Sequence, residues 1–339
     1  MGKNVAISGY YGFDNFGDDA ILACLVDYLR SHGSNVAVIS NNPKKTSAVY
    51  QVFSVKNFNL LAVFALLANS DVLVSGGGSL LQDVTSFKSL LYYSLVIKMA
   101  LLLKKKVIIF AQGIGPLQRP RSEKLVKGIL SQASLITVRD EKSLERVKSW
   151  GLNATLVNDP VFSLDLPRHE EDSGIIGVQL RDCKTMNDLL LNNLADKIVS
   201  EFPDKKIEIY AFQKNIDLKI CKIFEKMLKL RNPEIQTEVL HSLSQVDFMI
   251  KISKLDYMIA MRFHAVLVAL KCGVKTLAIN YDAKVMKLAY EALIPIITMN
   301  GDDDYDLAFE KMKALDKSKI LSFANNKPFE WNLFEKFLV

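Results

Sequence analysis

The chain has 339 residues, half of them hydrophobic and 24% charged, with a formal net charge of +6. That length allows two domains with full cores, and the balance is ordinary for a globular protein. The mild charge, spread over dispersed lysines, suits anionic substrates or a membrane surface and argues against nucleic-acid binding, which uses a denser basic patch.

Asn4 to Ser8 reads as a strand, and it runs into GYYGFDNFGDDAIL, Gly9 to Leu22. Gly9, Gly12 and Gly17 let the backbone turn sharply and approach a ligand closely. Asp18 or Asp19 is placed to cap the helix that follows, Asp19 to Ser31, by accepting its free N–H groups. The spacing is neither a GxGxxG fingerprint nor a P-loop. A plain strand-to-helix turn is the ordinary reading of one such motif. After a strand at Asn35 to Ile39 and a helix at Leu60 to Ala68, Asp71 to Val74 reads as a buried strand. It leads into Ser75-Gly76-Gly77-Gly78-Ser79 and then Leu80-Leu81-Gln82-Asp83. Three successive glycines suit close approach of N–H groups to a sugar or an anion.

A helix over Ser86 to Leu103 contains the longest apolar stretch, Leu90 to Leu103, broken by Lys98. It falls short of the roughly 20 residues that span a bilayer. Lys104, Lys105 and Lys106 after it are explained by the helix dipole; peripheral contact with anionic lipid is the alternative. The strand Val107 to Ala111 opens into Gln112-Gly113-Ile114-Gly115-Pro116. Helices at Ser122 to Gln132 and Glu141 to Trp150 and strands at Leu135 to Val138 and Ala154 to Val157 complete this half. Three strand ends with glycine turns mark one edge of a parallel sheet, and ligands of such sheets sit outside the carboxyl ends of the strands.

Asp159-Pro160 and then Asp165 to Ser173 read as a break, which gives domains at 1–165 and 174–339. The alternation restarts with strands at Gly174 to Leu180, Lys206 to Ala211, Tyr257 to Ala260 and Lys275 to Ile279. Helices at Met186 to Glu201, Ile216 to Leu230, Ser244 to Ser253, Phe263 to Cys272 and Lys284 to Ala292 lie among them. The expected class is α/β: two doubly wound Rossmann-like domains facing across a cleft that holds the site.

The sharpest feature of the second half is Met261-Arg262-Phe263-His264-Ala265, where a strand ends and a helix begins. An arginine and a histidine beside a helix N-terminus form a ready anion site. A lone histidine is usually structural; this one has Arg262 two positions away at a strand end. Lys284, Arg139 and Arg181 also follow strands. A solvated lysine, and an arginine paired with Asp140 or Glu141, are their ordinary readings. Their convergence on one edge suggests a substrate with more than one negative group, such as a phosphorylated carboxylate. Cys24, Cys183, Cys221 and Cys272 are far apart with no CxxC pair, so neither a zinc site nor a disulfide framework is expected. Reduced thiols and an N-terminus that enters a strand directly point to the cytoplasm.

The elements GYYGFDNFGDDAIL, GGGSLLQD, AQGIGP, TVRDEKS, NDP at Asn158 to Pro160, and MRFHA followed by NYDAKV resemble the polysaccharide pyruvyl transferase family over about residues 5 to 290. The resemblance implies a GT-B-like fold and transfer of a pyruvyl group from phosphoenolpyruvate to a sugar as a cyclic ketal. N-acetylmannosamine in a cell-wall polysaccharide precursor, lipid-linked or not, is the implied acceptor. It makes Arg139, His264 and Lys284 donor-site residues. Arg181 and Arg262 join them on position, and Gly76, Gly77, Gly78, Ser79, Gln82 and Asp83 are the expected acceptor loop. His264 is the expected acid/base, since histidine is the side chain that titrates near neutrality. Asp14 or Asp18 is expected to orient or deprotonate the acceptor hydroxyl. No cofactor and no metal are expected. A nucleotide-sugar glycosyltransferase of the same fold, or a carbohydrate-binding protein without catalysis, are the alternatives; the latter leaves the cations without a purpose.

Overall fold

The computed structural model describes residues 2–168 and 172–338; part of the expected linker, 169–171, lies outside the described residues. The chain divides into two units, Met1–Ser163 with Pro328–Val339, and Leu164–Lys327. Among the described residues the first unit carries a seven-stranded parallel sheet. Its strands are β1 (Asn4–Ser8), β2 (Asn35–Ser40), β3 (Phe53–Lys56), β4 (Val72–Gly76), β5 (Lys106–Gln112), β6 (Leu135–Val138) and β7 (Thr155–Leu156), in the order β3-β2-β1-β4-β5-β6-β7. Helices cover both faces, so the central strands are continuous apolar runs. Val5, Ala6 and Ile7 of β1 and Val72, Leu73 and Val74 of β4 are at most 1% exposed. The helices Leu60–Ala68, Phe87–Leu102 and Pro120–Leu130 share one apolar cluster with Ala6, Leu73 and Val107.

The second unit repeats the design with six parallel strands among the described residues. They are β8 (Ile175–Gln179), β9 (Lys206–Ala211), β10 (Thr237–His241), β11 (Tyr257–Ala260), β12 (Lys275–Asn280) and β13 (Ile296–Thr298), in the order β10-β9-β8-β11-β12-β13. Both sheets therefore reverse strand order once, between β1 and β4 and between β8 and β11. In such sheets the loops after those two strands diverge to opposite faces and open a crevice at the carboxyl ends. The expected fold class of two doubly wound parallel sheets is the one observed.

Three differences from the sequence reading have local causes. Strands β3, β10 and β13 leave no clear apolar run, because each is a short edge strand with one side less covered: Phe53 is exposed, and β10 buries only Leu240. The helix Pro43–Tyr50 is also absent from that reading, since only Thr46 and Tyr50 of it are buried. The expected second domain does not run to the C-terminus. The segment from Pro328 returns to the first unit, where Phe329 and Phe334 lie 5.2 and 5.1 Å from Phe110 of β5, ring centroid to centroid. Trp331 stacks on Tyr28 at 4.1 Å. Asn158 receives this segment: its amide donates to the Pro328 carbonyl at 3.0 Å, and its N–H donates to Glu330 at 3.2 Å. No described helix is long and apolar enough to cross a membrane.

Candidate functional site

The crevice between β1 and β4 is built from the glycine motifs. Tyr11 is fully buried after β1, and its hydroxyl donates to the Gly76 carbonyl at 3.1 Å, tying the two loops together. Gly77 and Gly78 both have φ +68, which side chains disfavour. A Cβ on Gly78 would stand 2.7 Å from Asp18 Oδ1. The loop thus reaches the first turn of the helix Phe16–Ser31 only because Gly78 has no side chain. Asp18 is 8% exposed and accepts a bond from the Asn15 amide. Neither Asp18 nor Asp19 caps the helix, as the sequence suggested: the cap is Asn15, whose side chain accepts from the Gly17 N–H at 3.3 Å. Asp14, on the loop after β1, is exposed, at φ +56, and paired with Lys45 at 2.6 Å.

Arg139, at the end of β6, comes to the same loop. Its guanidinium donates to the Ser79 hydroxyl at 2.9 Å, and its Nε is buried without a hydrogen-bond partner. Gly113 lies beneath it, because a Cβ there would meet Ser79 Oγ at 2.6 Å and Arg139 Nε at 3.5 Å. The three glycine turns and Arg139 therefore form one assembly, locked by Gly113 N–H to Gly78 O at 3.0 Å and by Gln112, whose amide donates to the Ser75 carbonyl at 2.7 Å. Two expected acceptor residues make hydrogen bonds to nearby backbone. Asp83 is 3% exposed and accepts from the N–H groups of Gln118 and Arg119 at 2.7 and 3.1 Å. Burial raises its carboxyl, but the neighbouring Ser122 hydroxyl and those N–H groups outweigh it and hold it below the usual range. The Gln82 carbonyl folds its own turn by accepting from Val84 and Thr85 N–H.

Asp19 is half-buried next to Asp18. Burial first, and the Asp18 charge second, push its carboxyl from 3.8 up to about 7. The folded state then binds more protons than the unfolded chain across that window, so stability falls as pH rises through it. Asp19→Asn is expected to flatten that fall and to stabilise the protein above the window while changing little below it. Urea unfolding at a series of pH values measures this; a wild-type slope in the variant would contradict it.

In the second unit the crevice lies between β8 and β11. Arg181 follows β8 and Arg262 follows β11, and two contacts join the strand ends. The Arg262 N–H donates to Gln179 Oε1 at 2.7 Å, and the Arg181 N–H reaches Met261 Sδ at 3.2 Å. The Arg181 guanidinium donates to the Tyr281 hydroxyl at 3.2 Å and lies 5.5 Å from that ring, and its Nε is buried without a hydrogen-bond partner. Tyr281 follows β12, and three residues on Lys284 is the second residue of the helix Ala283–Glu291, whose cap is Asp282. His264 stands in the first turn of the helix Phe263–Lys271, edge-on to Phe263, with its Nε2 buried. That helix has Arg262 at its N-cap and no side-chain cap.

Arg262 is also paired within the protein. Its Nε and one NH2 group hold Asp217 at 3.0 and 2.7 Å, and Asp217 is fully buried. Much of the guanidinium is therefore engaged within the protein. Gln179, Asp217 and Tyr281 escape a reading of the sequence. The available signal for Asp217 is an acidic residue in the first turn of the helix Lys214–Arg231. Among the described residues no group of three or more His, Cys, Asp or Glu side chains could hold a metal ion.

Residues 15–283 match the family model described as polysaccharide pyruvyl transferase; Asp14 and Lys284 flank that span. No curated protein matches by sequence. The structure is similar to UDP-GlcNAc 2-epimerase from Methanocaldococcus jannaschii, with TM-score 0.65 and 12% identity over 95% of this chain and 97% of that one. It is similar to Anabaena Alr3699/HepE, solved in complex with UDP, with TM-score 0.64 and 12% identity over 96% and 95% of the two chains. It is also similar to UDP-GlcNAc 2-epimerase from Neisseria meningitidis, solved with UDP-GlcNAc, at TM-score 0.58 and 10% identity over 96% and 97%. At these identities the likeness shows the fold alone, the paired Rossmann-like domains of the GT-B class.

Proposed function

The chain belongs to the polysaccharide pyruvyl transferase family, and from that premise we propose that it transfers a pyruvyl group from phosphoenolpyruvate to a sugar of a polysaccharide precursor, closing a cyclic ketal. N-acetylmannosamine, free or lipid-linked, is the first acceptor to test. The observation that carries the reading is the ligand edge of the second sheet. Arg181, Arg262, His264 and Lys284 follow three neighbouring strands, β8, β11 and β12. Phosphoenolpyruvate carries a carboxylate and a phosphate, and cations beside an uncapped helix N-terminus suit both groups.

In this reading Arg181 and Lys284 hold the donor, and Arg139 of the first unit is a further donor cation. Arg262, anchored by Asp217, fixes the start of the helix that carries His264. His264 gives a proton to the methylene carbon, which leaves positive character at C2. A sugar hydroxyl attacks C2 and forms the first C–O bond. The bond from C2 to the phosphate oxygen breaks, and phosphate leaves with the electron pair. The second hydroxyl then attacks C2 and closes the ketal. Of the two hydroxyl protons, one replaces the proton given to carbon and the other leaves on phosphate. Asp18, beside Gly78, accepts a hydroxyl proton, and the backbone of Gly76 to Ser79 holds the sugar.

Incubation with phosphoenolpyruvate and a panel of acceptors, followed by mass spectrometry and a phosphate assay, tests the reading. One pyruvylidene gained and one phosphate released per product are expected. Turnover of nucleotide sugars without use of phosphoenolpyruvate would replace it with glycosyl transfer. Because cations rather than a carboxylate cluster hold the donor, binding is expected to survive a chelator; loss restored by magnesium would contradict this. Arg139→Ala and Lys284→Ala are each expected to weaken donor binding by about 1.5–3 kcal/mol, the worth of a charge-assisted bond, and acceptor binding by less. Calorimetric titration of the folded variants measures both affinities.

A further inference from the structure

We propose that the first unit docks on an anionic lipid surface through the outward faces of the helices Leu60–Ala68 and Phe87–Leu102. From Asn57 to Ser70 the chain has no charged residue. The helix Leu60–Ala68 sinks Val63 and Leu67 into the core. On its other side Leu61 is 84% exposed and Phe64 48%, and Phe58 just before it is 69% exposed. A helix face turned to water ordinarily carries charge. Single exposed apolar residues are common, whereas a contiguous set marks an interaction surface.

The neighbouring helix extends the set. Phe58 and Tyr92 lie with ring centroids 5.5 Å apart, and the Tyr92 hydroxyl donates to the Asn57 carbonyl at 3.0 Å. Lys88, Leu91, Leu95, Lys98 and Leu102 are all exposed. Their spacing of three and four residues puts them on one stripe. The charge of this stretch is mostly positive. From Gln51 to Lys106 there are six lysines, and the two acidic residues are Asp71 and the buried Asp83. Apolar side chains interleaved with lysines suit the boundary of headgroups and acyl chains. The rings and leucines enter it, and the ammonium groups meet anionic headgroups. A second copy of the chain would cover the leucines but would bring its own lysines against these.

Both helices start where β3 and β4 end, so the surface begins at the edge that carries the Gly76–Ser79 loop. A saccharide acceptor carried on lipid would reach that loop from the same surface. That corollary rests on the proposed function; docking itself needs neither donor nor acceptor, so the failure of either is separable from the other.

Flotation of the full chain with vesicles of phosphatidylglycerol and phosphatidylcholine, and with phosphatidylcholine alone, tests the proposal. Binding to the anionic vesicles, weakened by salt and slight on phosphatidylcholine, is expected. Leu61→Asp with Phe64→Asp is expected to lower vesicle affinity at least about tenfold. Lys88→Glu with Lys98→Glu is expected to do the same at low salt, both pairs keeping wild-type thermal unfolding. Absence of wild-type binding to the anionic vesicles, or full binding by either folded pair, overturns it. Self-association in lipid-free solution that the Leu61→Asp, Phe64→Asp pair abolishes also overturns it and gives the face to a second copy. Because the lysine pair is wholly on the surface, it decides the matter if the apolar pair does not fold.

Discussion

His264→Gln is expected to bind phosphoenolpyruvate nearly as the wild type does and to lose roughly 10²–10⁴ in turnover, the usual effect of removing a positioned acid or base. His264 is held in the first turn of the helix Phe263–Lys271, on the loop after β11 and next to the Arg181 loop after β8. Glutamine preserves a hydrogen-bonding group there but cannot deliver a proton to carbon. His264→Ala removes both capacities and is expected to fail in turnover and to weaken the donor as well. The two variants therefore separate acid from ligand. Substantial turnover by the glutamine variant, with native thermal unfolding, would leave His264 as a binding residue alone. Single-turnover measurements with saturating donor, beside donor titrations, read the two effects independently.

Asp217→Ala is expected to destabilise the second unit by about 3–5 kcal/mol, since it leaves a buried cation without its partner. The carboxylate is fully buried, and the Arg262 side chain is only 11% exposed. Two contacts, at 3.0 and 2.7 Å, bind them. The arginine also stands at a helix N-cap, where the dipole disfavours positive charge. Asp217 offsets both costs. The double variant Asp217→Ala, Arg262→Met is expected to recover much of the loss, because removing both charges costs less than removing one. Urea unfolding of the two single variants and the double completes the cycle. A single-variant loss under about 1 kcal/mol would mean that the pair is weakly coupled. In the Asp217→Asn variant, donor affinity is expected to fall more than stability, since Arg262 then loses its orientation before it loses its place.

Composition and local pattern were enough to give the alternation of strands and helices. The runs Val5-Ala6-Ile7 and Val72-Leu73-Val74 are legible because a parallel strand covered on both faces must be apolar throughout. The helix Leu60–Ala68 is legible to the residue, and so are the turns that need glycine, where Gly77 and Gly78 adopt φ +68. These properties depend on residues adjacent in the chain. The same locality explains the misses. Edge strands such as β3 and β10 bury little, so they carry no strong period. Asn15, Asp18 and Asp19 are all acceptable caps, and only backbone angles select Asn15.

What tertiary structure decided is which of these local features meet. Strand order puts the loops after β1 and β4, and those after β8 and β11, at the two reversals. Sequence places Arg139 at a strand end; only the fold brings Ser79 to its guanidinium. Sequence places Arg262 and Asp83 after strand ends; only the fold pairs one with Asp217 and brings the N–H groups of Gln118 and Arg119 to the other. It also returns the segment from Pro328 to Phe110 of the first unit. The physical reason is common to all of these. Backbone preference and hydrophobic period are fixed by neighbours in sequence, whereas the pairing of a buried charge or of a returning segment depends on partners tens to hundreds of residues away, chosen by whichever arrangement leaves few buried polar groups unmatched.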